Sequence, residues 1–89
     1  MPYIQQDQRL CLDPGIENLT GALGTLGWPP GAVNYVVTRI VLGWWSRNPK
    51  YETGNAILGV LAAVGAEFVR RRLAPYEDAK IDENGDITE

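Results

Sequence analysis

The chain contains no histidine and a single cysteine, Cys11. The first absence removes the commonest general base and the commonest zinc ligand. It also removes the Ser-His and Cys-His pairs that activate many nucleophiles. The second rules out an internal disulfide and so gives no sign of an oxidising compartment. Positive charge is scarce as well: 8 Lys and Arg against 11 Asp and Glu leave a net charge of −3. General nucleic-acid binding, which depends on many cations displacing counterions, is therefore not expected. The opening MPYIQQDQR lacks the basic-then-apolar layout of a signal peptide. The apolar run over residues 56–66 falls well short of the about 20 residues of a membrane span. These absences point to a soluble cytoplasmic protein with no membrane contact, no metal and no cofactor.

What is present suits one small domain. The 89 residues are 45% apolar and 21% charged, an ordinary globular balance. A core of this size stabilises a chain only modestly, so association into a homo-oligomer is expected. The strongest helical signal runs over residues 55–78. There Ile57, Val60, Leu61, Val64 and Phe68 recur at helical spacing and make one apolar stripe. Beside it Gly59, Ala62, Ala63 and Ala66 are small enough for another backbone to come close. Arg70, Arg71 and Arg72 crowd the last turn, where cations oppose the negative end of the helix dipole. Pro75 disfavours helical geometry at Ala74, which predicts a helix over residues 52–73.

The remaining segments read as partners for that helix. Residues 1–12 show no period and are expected to form an arm. Catalysis by an N-terminal Pro2 would need a strand and a βαβ pattern that the sequence does not offer. Asp13-Pro14 reads as an N-cap with proline at the first helical position, opening a helix over residues 14–26. Gly27 then suits a left-handed terminator. Val33, Val36, Val37, Ile40, Val41 and Trp44 form a second stripe, over residues 30–46. Its β-branched residues favour a strand locally, but Asn34, Thr38 and Arg39 interrupt in a helical rhythm. RNPKY is a turn. In the acidic end, Ile81 and Ile87 flank Asn84-Gly85, a dipeptide suited to a type I′ hairpin, so residues 79–88 read as a hairpin or a frayed tail. The expected fold is all-α: a single domain over residues 1–89, with an arm (1–12), three helices (13–74) and a short acidic C-terminal β-hairpin or tail (75–89).

Few residues carry chemistry. Asp82, Asn84 and Gly85 imitate part of a calcium loop, but Lys80 occupies its first ligand position and the last one is missing. Glu67, Arg70 and Arg71 fall within one turn, either as surface ion pairs or as an anion clamp using the planar arginine fork. Asn34, Tyr35, Thr38 and Arg39 cluster on the second helix, as a polar network or as a small-molecule pocket wall. Tyr76 lies one residue past the proline and joins this candidate ligand set. Trp28, Trp45 and Tyr51 fall off the apolar stripes and are candidate interface residues. An enzyme using Glu67, Asp78 or Tyr76 as acid or base is the weakest reading.

MPYI, then Ala32-Val33-Asn34-Tyr35 with Thr38, then EFVRRRLAPYEDAKIDENGD, resembles an uncharacterised family of short phage and bacterial proteins. In that pattern Ala79 stands where a lysine is expected, and Val33 replaces a leucine. The resemblance covers most of the chain and brings no activity with it. A phage setting implies action by binding in the host cytoplasm. The leading reading is a non-catalytic protein that sequesters an anionic small molecule such as a cyclic nucleotide immune signal. The alternative is a protein-protein interaction module that inhibits a host protein or serves in phage assembly.

Overall fold

A computed structural model describes residues 4–88. The catalytic reading of Pro2 therefore lies outside the described residues. Those residues are all-helical, without a strand, and divide into two compact units meeting in sequence at Asn48 and Pro49.

The first unit holds α1 (Gln6–Thr25) and α2 (Pro30–Arg47). The expected arm is helical from Gln6 onward, and Asp13-Pro14 is not its start. The reason lies in Gln5 to Gln8. The Gln5 backbone N–H donates to Gln8 Oε1 at 3.3 Å, and the Gln8 N–H to Asp7 Oδ1 at 2.9 Å. Two orphan donors of a first turn are thereby satisfied, and Asp7 sits at the positive end of the dipole. Pro14 then lies inside the helix, leaving one carbonyl without its usual donor.

The end of α1 follows its glycine. The Trp28 N–H reaches Leu23 O at 2.9 Å and the Gly27 N–H reaches Gly24 O at 3.0 Å, a Schellman pattern. It requires Gly27 at φ 82, as the sequence suggested, and carries Trp28 to φ 57. An aromatic residue at positive φ immediately before a proline is strained in two ways. Pro29 and Pro30 then open α2, with Ala32 and Val33 donating to Pro29 O at 3.0 and 3.2 Å. Helical period overrode β-branching in α2.

The second unit is one continuous helix, Tyr51–Asn84. It consists of α3 (Tyr51–Phe68), a π-helical turn Val69–Leu73, and α4 (Ala74–Asn84). Pro75 was expected to end the helix near Leu73, and it does not. In the π turn the Ala74 N–H bonds back to Val69 O, one residue further than in an α-helix. This wider turn accommodates a residue that has no N–H and whose ring would crowd the preceding turn.

The expected β-hairpin is also absent among the described residues. Lys80 pairs with Glu83 at 3.2 Å along α4, and Asn84 is still helical. Gly85, at φ 87, donates to Ile81 O at 2.8 Å and acts as a helix terminator. A type I′ turn needs both of its central residues at positive φ, and Asn84 is not.

Burial is sparse. Among the described residues the buried side chains are Leu23 and Ile57, each 6% exposed, and Thr53 at 8%. Ile16, Leu19 and Leu26, which stand at helical spacing with Leu23, are exposed.

Candidate functional site

The sequence-predicted site residues fall into two groups, one in each unit. On α2, Asn34, Tyr35, Thr38 and Arg39 are all exposed. The Thr38 hydroxyl donates to Asn34 Oδ1 at 3.3 Å, and Arg39 Nη1 donates to Tyr35 Oη at 2.7 Å. The same guanidinium stands 5.6 Å from the Tyr35 ring centre, a cation–π distance. Helical i,i+4 spacing makes both pairs, so they form a solvated polar strip rather than a buried network.

The second group is built by the π turn and the helix leading into it. Arg70 Nη2 donates to Glu67 Oε1 at 2.7 Å, and Arg71 Nε donates to the same oxygen. Arg72 Nη1 turns instead to the Arg71 carbonyl at 3.1 Å. Two guanidinium groups on one carboxylate oxygen lower the Glu67 pKa from 4.5 to about 2, Arg71 contributing most and Arg70 next. A carboxylate so strongly held is ionised at neutral pH and a poor proton acceptor, ill-matched to acid–base catalysis. Tyr76 lies on α4 beyond this cluster and carries Lys80 Nζ 5.6 Å from its ring centre.

The candidate interface residues are exposed. Trp28 and Trp45 present much of their surface, and Tyr51 is 85% exposed. The Trp28 indole nitrogen lies 3.7 Å from the place a Cβ on Gly24 would occupy, so the ring covers the last turn of α1. A shallow depression of about 250 Å³ on α1 is lined by Ile4, Gln8, Cys11 and Leu12.

The sequence reading missed how much apolar surface stays uncovered. Val64 is 62% exposed and Leu58 67%, and Leu10, Ile40, Leu61 and Phe68 are exposed as well. A signal was available. Residues 56–66 carry no polar side chain, so α3 there is apolar on every side. A helix of that kind is ordinarily covered all round, by protein or by lipid. The helix Tyr51–Asn84 is in fact long and apolar enough to cross a membrane by length and composition. Its most apolar 18-residue stretch is 11% buried. The uninterrupted apolar run is shorter than a span, and the stretch reaches that length by admitting charged residues.

The chain belongs to the family described as Domain of unknown function (DUF6899), whose model matches residues 1–87. No curated protein and no solved structure matches it.

Proposed function

We propose that this member of the family is a small non-catalytic binding protein whose working form is a homo-oligomer, assembled through the apolar faces of its helices. The observation that supports this reading is the surface itself. On α3 alone, Leu58, Val60, Leu61, Val64 and Phe68 are 41–67% exposed. Exposed Leu, Ile, Val, Phe and Trp side chains on this scale mark association rather than a free monomer. Sedimentation equilibrium tests the reading directly. The expected result is a mass of two or more chains at micromolar concentration, with a melting temperature that rises with protein concentration. A 9.8 kDa species at every concentration would sink it.

A second reading rests on Glu67, Arg70 and Arg71. One carboxylate holds two guanidinium groups, and both arginine side chains are at least half exposed. Such a pair suits phosphate, and in a phage setting the ligand class would be a linear or cyclic nucleotide signal. A thermal-shift screen against nucleotides tests it. A selective shift lost in Arg71→Ala, with the fold retained, supports sequestration. Silence across the screen leaves a protein partner gripped through Trp28 and Trp45 as the competing use of the same assembly.

A further inference from the structure

We infer that the turn joining α1 to α2, residues 26–30, docks into the surface of a lipid bilayer, with Leu26 and Trp28 entering the acyl chains. This goes beyond the oligomeric reading and does not rest on it. Residues 18–38 carry no charged side chain, and Glu17 and Arg39 are the first charges on either side. Within residues 19–33 the only polar side chains besides the Trp28 indole are Thr20 and Thr25. The turn is open: Leu26 is 66% exposed and Trp28 52%. From Asn18 to Thr25 α1 rises about 10 Å, and from Pro30 to Asn34 α2 rises about 6 Å. Interfacial anchors enter a bilayer by roughly 5–10 Å, so no spanning helix is needed.

An apolar turn alone does not choose between lipid and protein, and its hydrogen bonding does. A protein partner brings donors and acceptors of its own, whereas the acyl region of a bilayer brings none. A surface that enters lipid must therefore satisfy its donors internally. The N–H groups of Leu26, Gly27 and Trp28 bond to the carbonyls of Ala22, Gly24 and Leu23 at 3.3, 3.0 and 2.9 Å. Pro29 and Pro30 have no N–H, so five consecutive residues present no free backbone donor. The hydroxyls of Thr20 and Thr25 donate within α1, to the carbonyls of Glu17 and Gly21 at 3.2 and 3.1 Å. Trp28 combines an apolar ring with a single donor, the character that places tryptophan at membrane interfaces. Two positive φ angles and two prolines also fix the turn before it docks, which lowers the cost of ordering it. Tyr35, with the Arg39 guanidinium over its ring, follows on α2 where headgroup phosphates would begin.

Flotation of the full chain with phosphatidylcholine vesicles tests this. Wild type should float with the vesicles. Leu26→Asp should bind at least about tenfold more weakly, with an unchanged circular dichroism spectrum. Trp44→Phe and Trp45→Phe together leave Trp28 as the only tryptophan. Its emission should shift to the blue on binding and be quenched by lipids brominated on their acyl chains. Wild type that stays in the soluble fraction, or Leu26→Asp that binds as well as wild type, would overturn the docking. So would binding that leaves the Trp28 emission unchanged, since lipid would then meet another part of the chain. Should vesicles bind nothing and Leu26→Asp lower the mass in sedimentation equilibrium, a second copy covers the turn instead of lipid. The oligomeric reading is decided by the wild-type mass without vesicles, so either reading can fail alone.

Discussion

The two ends of the helix Tyr51–Asn84 share one backbone and almost nothing else. Before the π turn, residues 56–66 offer apolar surface in every direction and no polar side chain. After it, α4 runs as APYEDAKIDEN and answers most of its own needs. Lys80 pairs with Glu83, stands over the Tyr76 ring, and the rest meets water. The three arginines and Glu67 mark the boundary. Continuity of hydrogen bonding therefore says nothing about continuity of surroundings. The first half requires a cover that the second does not, since apolar area left in water forgoes about 25 cal/mol for each Å².

An aspartate placed in each half makes the contrast measurable. Among single substitutions, Val64→Asp should have the largest effect. Desolvating an unpaired carboxylate in an interface costs several kcal/mol, enough to reduce the assembly to monomers at micromolar concentration. Ile81→Asp, on α4, should leave the mass unchanged and cost no more than about 1 kcal/mol of stability. Equal loss of association from the two variants would mean that the halves are covered alike and would erase the distinction.

Much of this was legible in the residues. The periods of α2 and α3, the left-handed Gly27 and the i,i+3 and i,i+4 spacing of Glu67 with Arg70 and Arg71 follow from local rules. What failed were the rules about proline. Pro14 was expected to start a helix and sits inside one, because a start signal at Gln5 to Gln8 preceded it. Pro75 was expected to stop a helix and does not, because a π turn opens beside it. Asn84-Gly85 fits a hairpin and a helix end equally by composition, and the Lys80–Glu83 pair belongs with the helix. The polar group on α2 and the arginine group were nameable from spacing. Which of their donors face solvent was not, since that depends on what surrounds each helix.

The two prolines sharpen the comparison at intermediate size. Pro14 lies in a regular α-helix and leaves a carbonyl unserved, so Pro14→Ala should stabilise the first unit, by up to about 3 kcal/mol. Pro75 follows a turn already widened around it, and Pro75→Ala should gain only about 1 kcal/mol. Urea titrations of the two variants, read at equal protein concentration, give the ratio. A larger gain at Pro75 would mean that the π turn is held under strain by the proline rather than relieved by it.

The smallest effect concerns acid. Glu67 titrates at about 2 in the folded chain against 4.5 when unperturbed, because Arg71 and then Arg70 hold its charged form. Its folded pKa is the lower of the two, so the stabilisation it brings is fully present above pH 4.5. That stabilisation declines as the pH falls and is gone below about 2. Glu67→Gln cannot ionise and should melt lower than wild type at neutral pH, with the gap closing across that window. Added salt should narrow the neutral-pH gap, since these partners are exposed and screened. A gap that stayed constant from neutral pH down to 2 would assign the loss to the shape of the side chain. The arginine pair would then be held by something other than the Glu67 charge, and the boundary between the two halves would not be electrostatic.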